Sequence, residues 1–106
     1  MTSKSSIITD MAKPLRPRPV HPGEIIREEF LPEYGLSAGA LAAALHVPRD
    51  RMEKIVREKR AVTADTAARL ARYFGTTPQF WMNLQASFDL AQVEESELEA
   101  IETRAA

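Results

Sequence analysis

VPRDRMEKIVREKRAVT, residues 47–63, sets six cations and three acids around a few apolar positions. On a wheel of about 100° per residue, Met52, Ile55 and Val56 gather on one side and must face a core. Asp50, Lys54 and Arg57 point the other way, with Arg51 and Glu58 on one edge and Glu53 on the other. Pro48 suits the first position of such a helix, which reaches about Glu58, and Arg49 lies at its exposed start. A charged outer face is ordinary on an amphipathic helix, and Glu53 with Arg57 is an everyday i,i+4 pair. What precedes and follows this helix separates a solvated face from one aimed at a polyanion.

Just before it, Ser37 caps a helix from Ala38 to Leu45, with Leu41 and Leu45 one turn apart on its inner side. Only His46 and Val47 lie between the two helices. Helices joined by so short a turn cannot lie antiparallel; they cross steeply, as in a helix-turn-helix. Such a crossing needs a small residue at closest approach, here Ala42. It also needs apolar residues in the angle: Leu41, Leu45, Val47, Met52 and Ile55. This geometry lets the second helix enter a major groove. The cations gather at that helix and its exit, where Lys59 and Arg60 follow on the loop. Together these features favour nucleic-acid binding.

The rest of the chain reads as helical from His21 onward. His21-Pro22-Gly23-Glu24 opens a first helix carrying Ile25, Ile26, Phe30 and Leu31, which Pro32 and Tyr34-Gly35 end. Thr63 caps a fourth helix with Ala67, Leu70, Ala71 and Phe74 as its stripe, stopped by Gly75. Thr77-Pro78 starts a fifth, with Phe80, Trp81, Leu84, Phe88 and Ala91 on one side. The expected fold is all-α, a bundle of five helices built around the helix-turn-helix. Residues 1–20, broken by Pro14, Pro17 and Pro19, read as a flexible arm; residues 21–92 form the domain. Residues 93–106 form an acidic tail, frayed or disordered.

The net charge of −1 conceals this distribution. Residues 1–20 hold four cations against Asp10, a balance of +3, and residues 46–60 hold six against three acids, again +3. Residues 89–106 carry six acids against Arg104, a balance of −5. A basic patch therefore coexists with a near-neutral whole, and total charge says nothing about partners. With no cysteine, disulfides and thiolate metal sites are excluded. No apolar run approaches the ~20 residues of a membrane span, and no signal-peptide block opens the chain. A cytoplasmic protein is expected. His21 and Glu24 are too few for a metal site, and His46 belongs to a distant turn. No nucleophile constellation or glycine-rich phosphate loop is present, so neither enzyme activity nor a cofactor or small-molecule ligand is expected.

The runs HPGEIIREEF (21–30), LAAALHVP (41–48) and KRAVTADTAARLARYFGTTPQFWMNLQASFDL (59–90) resemble the HigA-type antitoxins, relatives of virulence-associated protein I in the Xre/Cro group. The likeness spans about residues 20–91. It implies a lambda-repressor-like fold and a homodimer that binds a palindromic operator in double-stranded DNA and represses its own promoter. It further implies capture of a HigB-type toxin that cleaves messenger RNA. By position, Arg49, Asp50, Arg51 and Lys54 would face base edges, while Ser37, Arg57, Lys59 and Arg60 would touch phosphates. Arginine and lysine read guanine O6 and N7, and an acid accepts only from cytosine N4. Two positions depart from the pattern: His46 stands where glycine is common, and Ala38 where a glutamine often grips the backbone.

Tyr73, Phe74, Phe80, Trp81 and Phe88 are expected in the core. Met82 and Leu90 lie off the main apolar side of the fifth helix and are assigned to a dimer interface. The acidic tail, with Leu98 and Ile101, is either solvated or a contact for a basic partner. The rival readings are a solitary regulator and a protein-interaction module of the same fold.

Overall fold

The computed structural model describes residues 18–104. Six helices and no strand are present among them. The first, α1, opens with His21 as N-cap, its Nδ1 accepting the Gly23 N–H at 2.9 Å, and Pro22 at the first turn. It runs as α-helix over Pro22–Ile25, widens to a π-helical stretch over Ile26–Phe30, and closes as α-helix over Leu31–Tyr34. Pro32 therefore does not end the helix. An α-helical proline removes a hydrogen bond and drives its ring into the carbonyl four residues back. The widened turn, in which the Leu31 N–H reaches the Ile26 carbonyl, moves the chain out of that clash. Gly35, at φ +62, stops it instead.

Next come α2 (Ala38–Leu45), α3 (Arg49–Val56), α4 (Ala64–Phe74), α5 (Pro78–Ala91) and a short α6 (Glu95–Leu98). The Ser37 hydroxyl accepts the Ala40 N–H at 3.0 Å, and Thr77 does the same for Phe80 at 3.1 Å. Thr63 stands at the N-cap of α4 but makes no capping bond; its hydroxyl lies 3.5 Å from that of Thr66. Pro48 is the N-cap of α3 rather than its first helical residue. His46 adopts the left-handed conformation that the turn demands, at φ +61 and ψ +45, and the Val47 N–H returns to the Ala42 carbonyl.

The core forms where α2, α3, α4 and α5 meet. Leu41, Ala42, Met52, Ile55, Leu70 and Trp81 are fully or almost fully buried. Ala42 is the small residue that the crossing needs, and Met52, Ile55 and Val56 face inward as the wheel requires. The Trp81 indole donates to the Thr76 hydroxyl at 2.7 Å, so its one polar atom is satisfied. Of the five aromatics expected inside, Tyr73 and Phe80 are exposed and lie edge-on to Phe74 and Trp81. Each lies on its helix beside the buried stripe rather than in it, so ring size alone misplaces it.

One approach sets the placement of α1. A Cβ built on Gly23 would lie 1.7 Å from the Ile55 carbonyl oxygen, so the first turn of α1 rests directly on the backbone of α3. Nearby, Arg27 donates to the Val56 carbonyl and, at 3.1 Å, to Glu58. A cation thus closes the negative end of α3.

Candidate nucleic-acid interface

Arg49, Asp50 and Lys54 project from the outer side of α3 with side chains 75%, 67% and 49% exposed. No described element covers them. They are cross-linked among themselves: Arg49 Nε donates to Glu53 at 2.7 Å, and Lys54 lies 3.2 Å from Asp50. Exposed i,i+4 pairs of this kind are weak and screened by solvent, so they orient the cations without locking them. The Arg49 guanidinium also runs past Gly39, where an added Cβ would lie 3.1 Å from its Nε. The starts of α2 and α3 therefore sit side by side, and both helix N-termini favour an anion there.

Arg51 sits differently. It turns onto α4, donating to Asp65 at 2.8 Å and Thr66 at 3.3 Å, and is only 23% exposed. Asp65 also accepts from Arg69 at 3.1 Å, and Arg69 donates to the Leu45 carbonyl at 2.9 Å. These donors, Arg51 first and Arg69 second, hold the Asp65 carboxyl below its ordinary range. The cluster ties the end of α2 and the start of α3 to α4 and holds Arg51 against α4 rather than on the open side of α3.

Of the assigned phosphate contacts, Ser37, Arg57, Lys59 and Arg60 are all exposed. Ser37 uses its oxygen as a cap and keeps its hydroxyl proton for a further acceptor. After Arg57 the backbone turns through Glu58 in a left-handed conformation, φ +63, which swings Lys59 and Arg60 outward. This loop is pinned from behind: the Val62 N–H donates to the buried Gln85 side chain at 2.7 Å, and Gln85 donates to Asp89 at 2.9 Å. Arg27, Asp65, Arg69 and Gln85 escaped the sequence reading. Only the i,i+4 spacing of Asp65 and Arg69 was visible there; the other partners lie far away in the chain.

His21 is buried against Phe88, ring centroids 4.9 Å apart. Burial lowers its pKa, against smaller opposing effects of Glu58 and Asp89. The unfolded chain then binds a proton that the folded one resists, so stability rises with pH in this range. Stability is expected to be full above the ordinary histidine value of about 6.5 and to fall as pH drops below it. Chemical denaturation of wild type and His21→Asn across pH 5 to 8 checks this; a His21→Asn chain with an undiminished slope below neutrality contradicts it.

His21 and Glu24 do not meet as ligands. The first is spent as a cap and the second is paired with Arg18 at 2.8 Å. No cluster of three metal-ligating side chains occurs among the described residues, and no described helix is long and apolar enough to cross a membrane.

A steep helix pair with an uncovered, cation-bearing second helix and basic exit loop defines a helix-turn-helix DNA-binding protein. The helix-turn-helix family model matches residues 26–81. The chain is 58% identical over 76 residues to virulence-associated protein I of Dichelobacter nodosus, covering 72% of this chain and 70% of that one. It is 40% identical over 73 residues to antitoxin HigA-1 of Vibrio cholerae, covering 69% of each. The solved Pseudomonas aeruginosa antitoxin HigA with its higBA promoter superposes with a TM-score of 0.69 at 52% identity, over 78% of this chain and 86% of that one. The chain belongs to the HigA-type antitoxins of the helix-turn-helix family.

Proposed function

We propose that this protein is a transcriptional repressor and antitoxin that binds operator DNA as a dimer and neutralises an RNA-cleaving toxin of the HigB type. The observation that carries the DNA-binding part is the open outer side of α3, where Arg49, Asp50 and Lys54 face solvent. Arg49 and Lys54 take guanine edges as their intrahelical pairs open, and Asp50 accepts from cytosine N4. Arg51 acts through Asp65, holding α3 at its angle on α4. Ser37, Arg57, Lys59 and Arg60 grip phosphates on either side, fixing register without reading sequence. The antitoxin part rests on kinship with proteins named for that role.

A single domain presents one such helix. Two presented about 34 Å apart read successive major grooves, so a palindromic operator calls for a dimer. The 71% exposure of Leu90 supports its assignment to the side through which copies meet. Met82 is half-buried and packs against the core, which makes it a flank of that interface rather than its centre.

The test is a salt titration with an operator duplex. Binding should weaken along a log–log line whose slope is about −0.9 per phosphate neutralised. Lys59→Ala should weaken binding to all sequences alike and make the slope shallower by about one contact. A salt-independent affinity would point to a protein-interaction module instead.

A further inference from the structure

A cleft of about 520 Å³ opens between the end of α2 and α4. Ala44, Leu45 and Ala68 give it apolar surface, and Arg69, Arg72 and Tyr73 line it together with Asp65, whose charge Arg51 and Arg69 already meet. Arg69 is engaged by Asp65 and the Leu45 carbonyl, whereas Arg72 pairs with no carboxylate among the described residues. A fitting occupant therefore brings one or two apolar side chains with carboxylates at their flanks.

This chain carries such a segment. Leu98, the last residue of α6, is 44% exposed and Ile101, in the turn after it, 70%, the Ile101 N–H reaching the Leu98 carbonyl at 2.9 Å. Glu94, Glu95 and Glu102 lie within one helical turn of Leu98. Every described residue from 91 to 104 is exposed, and none of these acids forms an ion pair among the described residues. Leu90 and Val93 continue the apolar track back onto α5.

We propose that the acidic C-terminal segment of one copy docks in the α2–α4 cleft of a second copy, seating Leu98 and Ile101 on the alanine surface and its carboxylates on Arg72. Charge selects this occupant. Two tails of −4 each repel one another, so tail-to-tail association is disfavoured, while the tail is attracted to the Arg72 side of the cleft. Topology selects the second copy. The tail leaves from the end of α5, which packs with the buried side of α4 (Ala67, Leu70 and Ala71), whereas the cleft is lined by Asp65, Ala68, Arg69 and Arg72 of the same helix, off that side. A reciprocal exchange places both tails under one two-fold axis and closes the assembly. The occupied cleft borders the Asp65–Arg69–Leu45 contacts, so the exchange braces the end of α2 from outside.

The absence of cysteine provides the experiment. Full-length Ala68→Cys and Leu98→Cys proteins, both altered at exposed positions, are mixed under mild oxidation and the disulfide-linked species counted. The expected result is a mixed dimer formed well ahead of either homodimer, because only that pair brings the two Cβ atoms within disulfide range. Placing Arg72→Glu in the Ala68→Cys partner should slow it by about fivefold, the scale of an exposed ion pair lost and reversed. Mixed dimers no more frequent than homodimers overturn the proposal. So does a doubly substituted Ala68→Cys, Leu98→Cys chain that closes within one molecule on dilution while the single variants fail to cross-link, since the tail then serves its own cleft. An Arg72→Glu chain that cross-links at the wild-type rate removes the charge pairing from it.

Discussion

Gly23→Ala should lower the melting temperature by about 12–24 °C, corresponding to roughly 3 kcal/mol in a domain of this size. The added methyl would fall 1.7 Å from the Ile55 carbonyl oxygen, a fixed backbone atom inside a helix and not the movable end of a side chain. Relief requires α1 to lift off α3. That movement would pull Arg27 away from the Val56 carbonyl and from Glu58. Stability of a small domain totals only about 5–15 kcal/mol, so the variant is expected near the edge of folding at physiological temperature. Differential scanning calorimetry measures it. A melting temperature within 3–4 °C of wild type, less than about 1 kcal/mol, would show that α1 is not seated as described. Gly35→Ala is the comparison: nothing lies within 4 Å of its Cβ, so only the positive φ is strained there.

Arg49→Ala is expected to weaken binding to the cognate operator by about 1–3 kcal/mol, roughly five- to 150-fold, while affinity for unrelated duplex changes much less. Arg49 is the most exposed cation on α3, so its removal leaves no cavity and the melting curve should stay within about 0.5 kcal/mol of wild type. Its loss also frees Glu53 on a face presented to phosphates, which adds repulsion to the missing base contact. Competition binding with specific and scrambled duplexes separates the effects. An equal loss on both would reassign Arg49 from base reading to phosphate contact. Asp65→Asn provides a contrast: it should reduce specificity through the tilt of α3, because Arg51 loses its anchor on α4.

The helix-turn-helix was legible because its requirements are local. Ser37, Ala42, the His46 turn and the Met52–Ile55–Val56 side each follow from spacing within about twenty residues, and the structure keeps all of them. Helix starts at Ala38, Ala64 and Pro78 were equally readable from Ser37, Thr63 and Thr77. Errors arose where one residue answers to two neighbours. Pro32 reads as a stop by propensity, yet the helix continues because a widened turn removes the clash. Tyr73 and Phe80 read as core by size, yet their positions beside the buried stripe leave them on the surface.

The sequence alone determined that the chain is helical, that two of its helices cross at a tight turn, and that cations concentrate on the second. Periodicity and capping act over one or two turns, and those distances are written in the chain. Only the tertiary structure decided which cations stay free. Arg51 and Arg49 are two residues apart and chemically identical, but one faces α4, where Asp65 waits, and the other faces solvent. That difference depends on a carboxylate fourteen residues away, brought close by the packing of α3 on α4.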